Sequence, residues 1–158
     1  MTQLRDDAPD GPAARALFGE YMALVRTRLG LAADAVLPER IFATEEVFSG
    51  RGGAWLTAYD DGGDPVGCGG LRVLAPGIGE IKRMFVSERA RGHGLGRRLL
   101  RELERRAAAG GLGHVRLLTT EVLSEACALY DAEGYREIGR EQQPGGPVEI
   151  WLEKALYS

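Results

Sequence analysis

The sequence predicts a mixed α+β (α/β mixed) fold, with a central, mostly antiparallel twisted sheet of six to seven strands flanked by about four helices. Three observations predict it. Residues 80–109 read as a strand, a glycine-rich turn and a helix without interruption. Residues 54–59, 65–74 and the strand from Glu80 are separated by turns too short for a crossover, so they form an antiparallel meander. A further strand, a short helix and a closing hairpin follow. The 158 residues are read as one domain, 1–158, long enough to bury a single core.

A short first strand is expected to end near Leu4. Asp10-Gly11-Pro12 then reads as a helix start, with Asp10 capping and Pro12 in the first turn, and Leu17, Tyr21, Leu24, Val25 and Arg28 continue at helical spacing to Gly30. A second helix is expected from near Pro38, carrying Ile41, Phe42, Glu45 and Phe48 before Ser49-Gly50, with Gly52-Gly53 as its breaker. Asp60-Asp61-Gly62-Gly63-Asp64 and Pro76-Gly77-Ile78-Gly79 make the two turns of the meander. In the helix after the glycine turn, Leu95, Leu99, Leu100, Leu103 and Ala107 recur on one face. Residues 114–119 form a strand, 124–133 a short helix that Ser124 is placed to cap, and 135–140 and 148–154 the last two strands.

A formal charge of −3 argues against a general nucleic-acid binder, whose footprint is a strong basic excess. The basic residues are nevertheless gathered: Arg89, Arg91, Arg97, Arg98, Arg101, Arg105 and Arg106 lie on the glycine turn and its helix. Part of such a cluster is what a polyanionic ligand needs. Cys68 and Cys127 are too few for a disulfide framework or a zinc site and read as small buried hydrophobes. His93 and His114 share no metal-ligand spacing, so no metal is expected. No basic segment followed by an apolar run opens the chain, and no stretch approaches eighteen apolar residues; the expectation is a cytoplasmic protein without a membrane partner.

A glycine-rich turn entering a helix is a place to bind phosphate, because the first N–H groups of a helix have no intrahelical partner and the peptide dipoles add positive charge there. The nucleotide P-loop requires Gly-Lys-Ser/Thr, which is missing. The dinucleotide fingerprint requires a third glycine where Arg97 stands, and no βαβ unit opens the chain. What remains is Arg91-Gly92-His93-Gly94-Leu95-Gly96, of the form Arg/Gln-x-x-Gly-x-Gly, after a strand ending Met84-Phe85-Val86.

That segment resembles the signature of the GNAT superfamily of acyl-CoA-dependent N-acetyltransferases. Downstream, Ala128-Leu129-Tyr130-Asp131-Ala132-Glu133-Gly134-Tyr135 is similar to the family's second pattern, and the two together cover about residues 65–140. One departure is Leu123, where many members carry an Asn that helps to hold the pantetheine arm. The resemblance implies the GNAT fold and transfer of an acetyl group from acetyl-CoA, a cosubstrate, to a primary amine of a small molecule by direct attack. It implies pyrophosphate binding by Arg91, Gly92, His93, Gly94, Leu95, Gly96 and Arg97, and backbone pairing of the pantetheine arm with Met84, Phe85 and Val86. Two alternatives stay open: a non-catalytic acyl-CoA-binding regulatory module, and an acetyltransferase of protein N-termini or Lys. A homodimer is compatible with either.

Two residues carry the chemistry the resemblance implies. Glu80 is the candidate base, since an ammonium has no lone pair with which to attack a thioester; the competing reading is a strand-end carboxylate in solvent or paired with Lys82 or Arg72. Tyr130 is the candidate acid, protonating the thiolate as it leaves. Its competing reading is an aromatic ring packed on the sheet with its hydroxyl on backbone. Tyr135 fits that second role, because the family accepts Phe there.

Overall fold

The computed structural model describes residues 2–34, 48 and 50–156. One seven-stranded sheet has the order β1-β2-β3-β4-β5-β7-β6. Its strands are β1 Gln3–Asp6, β2 Ala54–Tyr59, β3 Pro65–Ala75, β4 Ile78–Val86, β5 His114–Thr120, β6 Arg136–Gln142 and β7 Val148–Ala155. Every neighbouring pair is antiparallel except β4 and β5, which run parallel. Three α-helices accompany it among the described residues: α1 Pro12–Arg28, α2 Leu95–Ala109 and α3 Ser124–Ala132. The helix expected from Pro38, with Ile41, Phe42 and Glu45, lies outside the described residues, apart from Phe48, which is buried edge-on against Trp55.

Two expected caps are corrected. Gly11, not Asp10, is the N-cap of α1, with Pro12 just inside the helix where its missing N–H costs nothing. Ser124 is the first residue of α3, and Leu123 before it makes no side-chain cap.

The core follows from a pairing of glycines with leucines. On α2, Leu95, Leu99, Leu100, Leu103 and Ala107 are all buried, and each leucine contributes about 1.5–3 kcal/mol on leaving water. They settle onto β3, where a Cβ added to Gly67 would come within 3.1 Å of Leu99, and one on Gly69 within 2.8 Å of Leu103. On the other face of the sheet, Ala14 and Leu17 of α1 pack with Trp55, Cys68 and Phe85.

The feature that positions the site lies in β4. Gly70 pairs with Lys82 and Cys68 with Phe85, so two residues, Arg83 and Met84, stand opposite Gly69 alone. This is a β-bulge, and Arg83 adopts φ +55° within it, a conformation that costs an L-residue roughly 1–2 kcal/mol. The Cys68 thiol donates to the Arg83 carbonyl at 3.4 Å, and the Arg83 guanidinium lies 4.7 Å above the Phe18 ring. β4 pairs with β5 only from Ile78 to Ile81, against His114 to Leu117. Past that point β4 follows β3 as far as Val86 while β5 follows β7 to Thr120. The sheet therefore opens beside the bulge.

Candidate functional site

The opening holds a cavity of about 460 Å³. One wall is the free edge of β4, with Met84, Phe85 and Val86; the opposite wall is Leu123 and α3, with Ala126, Leu129 and Tyr130. Backbone N–H and C=O groups that leave a ladder must find other partners, and an extended, peptide-like ligand arm supplies them as an added strand does. Leu123 makes its part of the wall apolar, so at this position a ligand meets a surface without a side-chain amide.

At one end the cavity meets the start of α2. Gly94 is the N-cap residue with φ +76°, and Gly92 has φ +84°, values that glycine adopts without a Cβ penalty. The Arg98 N–H to Gly94 carbonyl bond, at 3.1 Å, is the first of the helix. The N–H groups of Leu95, Gly96 and Arg97 precede it and have no acceptor within the helix. A Cβ on Gly96 would sit 3.2 Å from Leu129, so glycine here also brings α3 close to the turn. Arg91, Gly92, Gly94, Leu95, Gly96 and Arg97 all line the cavity; His93 lies in the same turn but not on its wall.

Most of the arginine cluster is already engaged inside the protein. Arg98 donates to the Thr2 carbonyl at 3.1 Å, Arg106 pairs with Asp6 at 2.6 Å, and Arg105 with Glu102 at 2.7 Å. Arg89 donates to the Pro65 carbonyl at 2.6 Å. Two arginines reach the cavity. Arg91 donates its Nε to the Val86 carbonyl at 3.1 Å, which ties the turn to the end of β4. Arg97 lies 3.2 Å from Glu133, whose nearly buried carboxylate also receives Arg101 at 2.7 Å. Hydrogen bonding from Arg101 holds the Glu133 carboxyl below its usual range.

Tyr130 is buried, and its ring meets that of Tyr135 edge-on at 5.7 Å between centroids. Burial pushes its phenol well above the ordinary value, and a phenol is already protonated at neutral pH without that shift. The two thiols are poor nucleophiles. Burial pushes Cys68 up to about 12, and Cys127, half-buried on α3 and donating to the Thr120 carbonyl at 3.5 Å, is raised for the same reason.

Glu80 stands elsewhere. It is 3% exposed, receives the Nε of Arg72 at 2.5 Å, and belongs to the closed half of β4, one residue before the last β4–β5 pair. It is not on the cavity wall. The structure thus gathers Tyr130 with the β4 edge and the glycine turn, and leaves Glu80 outside that group. Tyr21 and Leu24 of α1 also line the cavity. In the sequence they show only helical spacing, which equally describes a core stripe; Tyr21 meets Phe85 edge-on at 5.8 Å.

Among the described residues, no helix is long and apolar enough to cross a membrane. The sequence model of the Acetyltransferase (GNAT) family matches residues 23–135. A protein of Azospirillum brasilense named IAA acetyltransferase is 40% identical over 96 residues, which span 60% of this chain and 63% of that protein, less than two thirds of its length. The N-acetyltransferase YjgM of Escherichia coli K12, itself uncharacterized, is 30% identical over 145 residues, 83% of this chain and 86% of that one. A solved structure of a candidate acyl-CoA N-acyltransferase from Klebsiella pneumoniae superposes with a TM-score of 0.76 at 28% identity, covering 99% of both chains. With the family pattern extending from α1 to Tyr135 and a relative matched over most of both lengths, this chain belongs to the acetyltransferase (GNAT) family of enzymes.

Proposed function

We propose that the protein transfers an acetyl group from acetyl-CoA to a primary amine of a small molecule. The observation that carries this reading is the opening of the sheet past Ile81 and Leu117, which sets the β4 edge, the start of α2 and Tyr130 around one cavity. The N–H groups at the start of α2, with Arg91 and Arg97, suit the pyrophosphate of the cosubstrate, and the edge at residues 84–86 suits its amide-bearing arm. Acetyl-CoA supplies the thioester, whose C–S bond breaks as the amine nitrogen bonds to the carbonyl carbon. In this reading Tyr130 gives its proton to the departing sulfur, and a β4 backbone N–H steadies charge on the carbonyl oxygen.

The raised Cys68 and Cys127 thiols favour direct attack over an acylated enzyme. For the amine proton, the Arg72 ion pair favours water as the immediate acceptor, with Glu80 acting at most through that water. The reaction is assigned to the cytoplasm. Purified protein mixed with acetyl-CoA and a panel of primary amines, followed by thiol release, tests the whole reading. It is supported by acceptor-dependent release with at least one small amine. Tight CoA binding by calorimetry with no release from any amine, peptide N-terminus or peptide Lys favours a binding module instead.

A further inference from the structure

One charged residue interrupts the apolar face of α2. Glu104 is buried among Leu100, Leu103 and Ala107, at a helical position where leucine would extend the stripe. Taking a carboxylate out of water costs several kcal/mol even when it is paired, and an apolar residue of similar volume is commonly as stable or more so. Stability alone does not account for it.

Both oxygens of Glu104 are used. One accepts the Tyr135 hydroxyl at 2.7 Å, and the other receives Lys154 Nζ, from β7, at 3.0 Å. Lys154 Nζ also lies 5.6 Å from the centre of the Tyr135 ring. The Tyr135 ring is therefore fixed at its hydroxyl and on its face, and its remaining aromatic contact is the edge-on packing with Tyr130. The main chain repeats the link, since the Tyr135 N–H donates to the Tyr130 carbonyl at 3.0 Å across Gly134, which has φ +91°. Tyr130 has no hydrogen-bond partner for its hydroxyl among the described residues, so its ring is oriented by packing.

We propose that Glu104 is a positioning residue for Tyr130, acting through Tyr135 and anchored by Lys154. This rests on Tyr130 serving as the acid. In that role the phenol must meet a departing sulfur without help from an internal hydrogen bond, and the buried carboxylate sets the angle of the ring behind it. Misplacement of a reacting group by about 1 Å costs up to roughly 10²-fold in rate, so a remote anchor of this kind acts on turnover and not on cosubstrate binding.

The test is a double-mutant cycle on the full chain with a confirmed acceptor. Glu104→Leu removes both anchors, and Lys154, partly exposed, can turn to solvent. Its kcat is expected to fall about 10-fold with the KM for acetyl-CoA and the CoA affinity unchanged. Glu104→Gln, whose amide oxygen still accepts from Tyr135, recovers most of that loss. In a Tyr130→Phe background, Glu104→Leu changes kcat by less than about 2-fold, because coupled residues are not additive. Tyr135→Phe, which leaves the Glu104–Lys154 pair intact, gives the same cycle if the leucine variant does not fold. Equal losses in both backgrounds, or none in the Tyr130 background, overturn the proposal. If Tyr130→Phe alone matches the parent, the acid assignment has failed, and that variant shows it independently of Glu104.

Discussion

The two halves of β4 differ in what completes them. From Ile78 to Ile81 the strand has β3 on one side and β5 on the other, and its groups are sealed: Glu80 is bonded to Arg72, and a Cβ on Gly79 would meet Leu112 at 2.9 Å. From residue 82 onward it keeps β3 alone, and the other edge faces a cavity. Even the glycines before and after the strand match in shape and differ in use. Gly77 and Gly94 both have φ +76° with open space where a side chain would stand. The Gly77 carbonyl receives the N–H of Gly113 and His114 and so seats the start of β5, whereas Gly94 exposes the start of a helix. The same strand is closed on both sides at one end and open along one edge at the other, and a two-residue bulge marks the change.

If the open half is the site, the largest effect comes from its far wall. Tyr130→Phe is expected to lower kcat about 100-fold, within the range of a general acid, and to leave CoA affinity nearly unchanged. Steady-state rates on a confirmed acceptor measure the first, and calorimetric titration the second. Parent-like rates would make Tyr130 a packing residue.

The glycine pair gives the next test. Gly94→Val and Gly77→Val carry the same backbone strain, so their stabilities should fall alike in thermal melts. CoA affinity should drop about 10-fold or more, equivalent to about 1.4 kcal/mol, in the first variant and stay constant in the second. Equal affinities in the two folded proteins would remove the phosphate from the turn.

Glu80→Gln probes the closed half. With Arg72 holding the carboxylate away from the cavity, the expected loss of kcat/KM is under about 10-fold and uniform with pH, below what a general base supplies. A loss that grows where the acceptor is mostly ammonium and shrinks as it becomes free amine would instead restore Glu80 as the base. The pH profile of parent and variant on one acceptor separates the two.

The smallest effect is on acid stability. Glu133 has a lowered folded pKa, chiefly through the hydrogen bond from Arg101, so its contribution is complete above the ordinary carboxylate range. It is lost as pH falls through the lowered value. Glu133→Gln should therefore lower the melting temperature at pH 7 and converge with the parent in acid. Parallel curves across pH would show that the pair is not linked to folding.

The glycine turn, the leucine face of α2, the meander and the helix bearing Tyr130 were legible because each is encoded by neighbours in sequence. Periodicity and turn residues report what a segment does to itself. The engagement of Arg98 by Thr2 and of Arg106 by Asp6 joins residues 96 and 100 positions apart, and no local pattern reveals it. Arg72 was one of two named partners for Glu80; choosing it over Lys82 required the register of β3 on β4, which an irregularity between Val73 and Ala75, next to the turn, shifts. Nothing in Lys82-Arg83-Met84 announces a left-handed residue, because arginine rarely adopts that conformation and is held there by tertiary contacts. The lining by Tyr21 and Leu24 was hidden for a different reason: a helix stripe facing a cavity and one facing a core have the same spacing.

The strand order carries a consequence for how the protein is made. Among the described residues β7 is the last strand in sequence, yet it lies inside the sheet, between β5 and β6, and pairs with β5 from Glu149 to Ala155. During synthesis from the N-terminus, β1 to β4 and α2 can assemble while the cavity still lacks a supported second wall. β5 gains its far neighbour, and Glu104 its lysine, only after residues 148–155 leave the ribosome. A nascent chain stalled before that point would carry an intact glycine turn beside an unsupported α3, and the cavity's second wall would settle only once β7 has joined β5.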